Sequence, residues 1–139
     1  DPLRSVPSTV SLSMLMRTSR ANGVDANLLG QMVVKGYVGM LRKVIDERSS
    51  GVIPPGQITD VHFQDLMKDP AGTVERVYAA LGLPFTVGFA DVISNYVATK
   101  PRDHFGKHRY TPEDYELSRQ GIREEFHFYT DHYGIALED

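Results

Sequence analysis

Between two proline-marked breaks, Pro54-Pro55-Gly56 and Gly82-Leu83-Pro84, the chain changes its hydrophobic period. Ile58, Val61 and Phe63 form a short apolar segment whose length and β-branched content predict a buried strand. Asp65-Leu66 closes it. Lys68-Asp69-Pro70 is a turn, because proline cannot continue a strand. Val74, Val77, Tyr78 and Leu81 then recur at helical spacing until Gly82 and Pro84 stop the helix. Strand, turn and amphipathic helix make half of a βαβ unit. Ligands on such units bind where strands end and helices begin, which puts Phe63 to Asp65 at the expected binding edge.

The rest of the chain reads as helix. At the front, Ser5 is the expected N-cap and Pro7 fits a first helical turn, where a missing N–H costs nothing. Ser8 would then stand among unpaired backbone N–H groups, at a helix end whose dipole attracts anions. The plainer reading is that Ser5 or Ser8 only caps the helix. Asn22-Gly23 signals a turn, and Asp25 caps a helix from about Ala26 to Arg48. Its apolar face is Leu29, Val33, Tyr37, Met40, Leu41, Val44 and Ile45. Gly30, Gly36 and Gly39 inside it each cost about 1 kcal/mol against alanine, which a close helix contact or a kink for substrate entry would explain. Phe89, Val92, Ile93, Tyr96 and Val97 mark a further helix with a core-facing stripe. Thr111-Pro112-Glu113-Asp114 starts a short helix with a reciprocal cap. Ser118 caps the last one, whose stripe is Ile122, Phe126, Tyr129 and Tyr133, with Phe128 on a second covered face. The fold class expected is therefore mostly α, with one or few strands.

Length and composition set limits. The 139 residues suffice for a single domain spanning 1–139. With no cysteine, disulfides and thiolate metal sites are excluded; a reducing, cytoplasmic setting is the expectation. The net charge of -3 argues against a nucleic-acid partner bound through bulk charge, so any anion site must be local. No apolar run reaches the ~18 residues of a transmembrane helix. The most basic stretch is Lys100 to Tyr110, where Lys100, Arg102, Lys107 and Arg109 face only Asp103. A basic loop around Gly106 can wrap a phosphate with side chains and backbone together; the plain alternative is a solvated loop. Metal ligation is not expected, because His104 and His108 flank a glycine in a loop and only His127 and Asp131 share a helix face. There is no P-loop glycine motif and no nucleophile elbow, and Glu47, Glu124 and Glu125 read as solvated helix faces.

An aromatic, a polar residue, Asp and Leu, then Asp-Pro and a helix ending in Leu-Gly-Leu-Pro, resemble the C-terminal half of sulfotransferases that use 3′-phosphoadenosine 5′-phosphosulfate (PAPS). The family's usual Tyr-Glu-Asp stands here as Phe63-Gln64-Asp65. Asp1-Pro2 matches two members of the family's Arg-Asp-Pro motif, whose Arg would precede Asp1, so the chain reads as the rear part of a longer protein. The resemblance assigns Ser8 to the donor's 3′-phosphate and Phe63 to adenine, without the tyrosine hydroxyl. The bacterial pattern Gly106-Lys107-His108-Arg109-Tyr110 assigns Lys107 and Arg109 to the loop that closes on that phosphate. These three elements are expected to meet in one nucleotide pocket.

The resemblance further implies a three-layer α/β parent with a parallel sheet and a P-loop-like N-terminal part. The catalytic base and the 5′-side contacts would lie upstream of Asp1. Adenosine 3′,5′-bisphosphate and a small-molecule hydroxyl or amine acceptor would be the ligands, with no metal. This chain alone is expected to be inactive. It is also expected to self-associate when made alone, since a lone strand leaves unpaired edges. Two alternatives stand beside this reading. One is an autonomous helical protein-interaction domain without catalysis; the other is a different P-loop-like transferase whose rear half has similar turns.

Overall fold

A computed structural model describes residues 1–100 and 110–138, and the described residues form two compact units. The first comprises residues 1–46 and 108–139, the second residues 47–107.

In the first unit, α1 (Pro2–Thr18) and most of α2 (Ala26–Ser49) pack with a 3-10 turn (Pro112–Tyr115) and α6 (Arg119–Tyr133). Helix α1 begins earlier than its Ser5-Pro7 signal predicts. The Asp1 side chain accepts the Leu3 N–H at 3.0 Å, and Pro2 takes the first helical position. Pro7 therefore lies inside the helix, where it is buried. The second carboxylate oxygen of Asp1 accepts the Glu138 N–H at 2.7 Å, so one side chain caps α1 and fastens the tail. Leu3, Val6 and Val10 of α1 meet Leu29 of α2 and Ile122 and Phe126 of α6 in a buried core. Val33, Tyr37, Leu41, Tyr115 and Leu117 lie half-buried around it.

Local signals build the remaining elements of this unit. The Asp25 carboxylate accepts the Leu28 N–H at 2.9 Å where α2 starts, after Gly23 turns the chain at φ +69°. Gly30 admits Leu117 against the helix backbone: a Cβ there would lie 3.0 Å from Leu117 Cδ1. A close helix contact thus accounts for Gly30, whereas Gly36 and Gly39 face open space. Asp114 accepts the Thr111 N–H at 2.7 Å as the reciprocal cap requires, and Ser118 caps α6 by accepting the Gly121 N–H at 2.9 Å. Phe128 is covered by the Arg42 guanidinium, 4.0 Å above its ring, which gives α6 its second occupied face.

The second unit holds α3 (Phe63–Lys68), α4 (Pro70–Ala80) and α5 (Val87–Thr99). The strand expected over residues 58–63 is not formed, and the described residues contain no strand at all. A strand is stable only if a neighbour takes its N–H and C=O groups. Among the described residues none does; Ile58 and Val61 are exposed, and the chain enters α3 at Phe63. The mostly α expectation stands and its strand is corrected: every regular element among the described residues is a helix.

Helix α4 follows its sequence signals. Asp69 caps it by accepting the Gly72 N–H at 3.0 Å, with Pro70 in the first turn. It stops where Gly82 takes φ +66° and the Leu83 N–H reaches the Tyr78 carbonyl at 2.8 Å. Tyr78, Phe85 and Phe89 form a triangle with centroids 5.5 Å apart, joining α4 to the start of α5. The rest of the α5 stripe departs from expectation: Val92, Tyr96 and Val97 are exposed, and α5 buries no residue fully.

Candidate functional site

Ser8 lies two turns inside α1, not in its first turn, because the helix starts at Pro2. The front amides are already engaged: Leu3 N–H meets the Asp1 carboxylate, and the Arg4 and Ser5 N–H groups meet the Asp1 carbonyl at 3.0 and 3.2 Å. A phosphate site made of unpaired amides at Ser8 is therefore not what this helix offers. What remains is the Ser8 hydroxyl itself, exposed on a face that continues through Leu12, Leu15 and Met16. The adjacent face is pinned. Thr9 Oγ1 donates to the Ser5 carbonyl at 3.0 Å and lies 2.6 Å from the Tyr37 hydroxyl, whose proton completes the pair. That link from α2 fixes the rotation of α1, and with it the direction of Ser8.

Phe63 opens α3 after His62, which has extended backbone and gives no side-chain cap. Phe63 is 63% exposed, which leaves ring surface available for stacking. The corner between α3 and α4 behind it is held by Thr73, at 4% exposure a rare buried polar side chain in this molecule. Thr73 Oγ1 donates to the Asp65 carbonyl at 3.1 Å and accepts from Arg76 at 2.8 Å. Arg76 also stands 3.5 Å from Asp69, the α4 cap. A cavity of about 150 Å³ lies at this corner, lined by His62, Asp65, Thr73 and Arg76 among others. That is below the roughly 300–1,000 Å³ of small-molecule sites, so it does not hold a nucleotide by itself. Sequence reading puts Asp65 at this edge. It gave no sign of Thr73, because a threonine inside a helix reads as neutral until its partner is known.

Lys107 and Arg109 lie outside the described residues, as do His104 and His108. Ser8 belongs to the first unit and Phe63 to the second. Among the described residues no three His, Asp or Glu side chains gather as a metal site. The Glu113 carboxyl is held below the usual range by its own backbone N–H, then by Arg119 and Thr111. It sits on the 3-10 turn as a structural ion pair, 2.8 Å from Arg119 Nε.

A cavity lies in the first unit, between the end of α1, the Asn22-Gly23 turn and the first turns of α2. It measures about 710 Å³, and Met16, Val24, Leu28, Leu29 and Met32 supply apolar lining. The sequence pattern did not reveal it, since these residues belong to two separate helical stripes.

The sulfotransferase family model matches residues 1–87, over half of the chain and inclusive of Ser8 and Phe63. The chain belongs to the sulfotransferase family. Two curated family members, the omega-hydroxy-beta-dihydromenaquinone-9 sulfotransferases Stf3 of Mycobacterium bovis and Mycobacterium tuberculosis, are each 32% identical to it over 84 residues. Those alignments cover 60% of this chain and 21% of each relative. The crystal structure of sulfotransferase STF9 from Mycobacterium avium superposes with a TM-score of 0.83 at 22% identity, over 99% of this chain and 35% of that one. The fold is thus that of a sulfotransferase segment, and the chain spans about a fifth of the curated family members' length.

Proposed function

We propose that this chain is the C-terminal portion of a bacterial-type sulfotransferase, and that it carries contacts to the 3′-phosphate and adenine of PAPS. The observation that carries the reading is the family match over residues 1–87, which takes in both Ser8 and Phe63. The exposed Ser8 hydroxyl suits a phosphate oxygen, and the exposed Phe63 ring suits a purine face. Lys107 and Arg109 add two cations to the same phosphate. Residues 1–139 are then one part of a three-layer α/β domain whose parallel sheet and P-loop-like element come from the rest of the protein.

The chemistry is an in-line displacement. The acceptor oxygen or nitrogen attacks sulfur, its bond to sulfur forms as the sulfur–oxygen bond to the 5′-phosphate breaks, and adenosine 3′,5′-bisphosphate leaves with the electron pair. A base on the missing part takes the acceptor proton. Catalysis of this kind rests on positioning and on charge stabilisation at the leaving oxygen. Ser8, Phe63, Lys107 and Arg109 supply positioning only: they hold the nucleotide so that its sulfuryl end faces the acceptor. The relatives are named for an omega-hydroxy compound, which favours a hydroxyl acceptor over an amine. A cytoplasmic setting belongs to the same reading; self-association loses its ground, since the strand whose open edges called for it is not formed among the described residues.

Calorimetry and a sulfuryl-transfer assay test it together. The isolated chain binds adenosine 3′,5′-bisphosphate weakly and transfers nothing from PAPS to an alcohol. Tight nucleotide binding combined with turnover by these 139 residues alone would overturn the division of labour.

A further inference from the structure

We infer that the cleft between α1 and α2 is a binding site for a single-chain anionic amphiphile. Its size, about 710 Å³, falls within the roughly 300–1,000 Å³ of small-molecule sites. Its lining is apolar and adaptable: Met16 on one wall and Met32 on the other stand half to two-thirds exposed, with Leu28 between and Leu29 at the core side. Methionine at such a surface repacks around varied apolar shapes. The rim is cationic. Arg17 and Arg20 both line the cleft, and among the described residues neither guanidinium has a side-chain partner. Asp25, the carboxylate at the rim, is already engaged as the cap of α2 through the Leu28 N–H. Two unpaired guanidiniums beside an apolar trough fit a ligand with a hydrocarbon body and an anionic head. All the walls belong to one compact unit.

The position also bears on catalysis, in a step that rests on the proposed sulfuryl transfer. Ser8, Leu12, Leu15 and Met16 share one exposed face of α1. Eight helical residues separate Ser8 from Met16, about 12 Å along the axis. A ligand longer than the cleft, with its head on Arg17 and Arg20, would have to run past Met16 and Ser13 onto that face to come near Ser8. The acceptor class it implies is a hydroxyl on an apolar body that bears an anion at the opposite end.

The chain contains five methionines, and methyl-labelled methionine NMR reads the cleft with built-in controls. Met16 and Met32 line it, whereas Met40 and Met67 are comparably exposed elsewhere. Sodium decanoate below its micelle concentration should shift Met16 and Met32 saturably and leave Met40 and Met67 in place. Decanol should bind about thirtyfold more weakly, or about 2 kcal/mol for two guanidiniums at about 1.4 kcal/mol per tenfold, and acetate should give no shift. The Arg17→Gln/Arg20→Gln variant should bring decanoate down to the level of decanol. Equal shifts of all exposed methionines would mean non-specific detergent action and overturn the site. So would shifts of Met16 and Met32 that follow protein concentration without ligand, which would mean a second copy covers the face. Perturbation by phosphatidylglycerol vesicles but not by decanoate would replace the single-molecule site with a membrane surface. None of these results touches the nucleotide contacts, which are read at other residues.

Discussion

The two units solve the same stability problem differently. The first buries a shared core of Leu3, Val6, Val10, Leu29, Ile122 and Phe126, drawn from three helices far apart in sequence, and ties its chain ends together through Asp1 and Glu138. Among its described residues the second buries only Thr73, and otherwise relies on caps, the Tyr78–Phe85–Phe89 triangle and the Arg48–Asp60 ion pair at 2.6 Å. Its α5 leaves Val87 81% exposed, with Val92 and Tyr96 also outside. Burial scales with the number of layers that can close on one another. The first unit therefore carries most of the stability of the chain. Large apolar side chains stay outside in both, Leu12, Leu15 and Met16 in the first unit and Val87, Val92 and Tyr96 in the second.

The sharpest way to break this contrast is to delete one aromatic from each unit. Phe126→Ala leaves a cavity in a closed core and should cost about 3–5 kcal/mol in urea denaturation, enough to unfold the chain. Phe89→Ala removes part of an open triangle and should cost no more than about 1.5 kcal/mol. Equal losses would mean that the second unit has a core of its own. Next in size is Thr73→Val, which leaves the Asp65 carbonyl and Arg76 without their shared hydroxyl and should cost about 1–2 kcal/mol. Amide exchange should speed up in α3 and α4 and stay unchanged in α1 and α6; a uniform rise would show that the units unfold as one.

The smallest effects concern glycine. Gly30→Ala forces a methyl group against Leu117 and should lose about 1 kcal/mol, as overpacked contacts do. Gly36→Ala, which faces open space on the same helix, should gain up to about 1 kcal/mol from helix propensity. A gain at both positions would show that Leu117 yields freely and that the contact between α2 and the 3-10 segment is loose.

What the sequence makes legible follows the range of the interactions. Asp25 and Ser118 cap their helices as expected, because a cap involves residues two or three apart; Asp69, expected only as part of a turn, caps α4 in the same local way. Ile122 and Phe126 face the core because a helical stripe already contains its own geometry. Reading fails where a distant partner decides. Ser5 carries a cap signal as good as that of Asp1, but Asp1 also receives the Glu138 N–H from the far end of the chain. Residues 58–63 have strand composition and no neighbouring strand among the described residues, so composition alone does not make one. The α5 stripe was read as core because periodicity reports which face is apolar, not whether anything lies against it. For the site, Ser8 and Phe63 were readable only as expectations that the family pattern implies. The Thr73–Arg76 joint and the Arg17–Arg20 cleft were not, since neither has a fixed spacing.

The most direct measurement is an amide NMR titration of the chain with adenosine 3′,5′-bisphosphate, run beside adenosine 5′-monophosphate. Weak, saturable shifts at Ser8, Phe63, Lys107 and Arg109 that require the 3′-phosphate are the expected result. Shifts that ignore the 3′-phosphate, or that spare Ser8 and Phe63 altogether, would contradict the assignment of these residues to a sulfuryl donor.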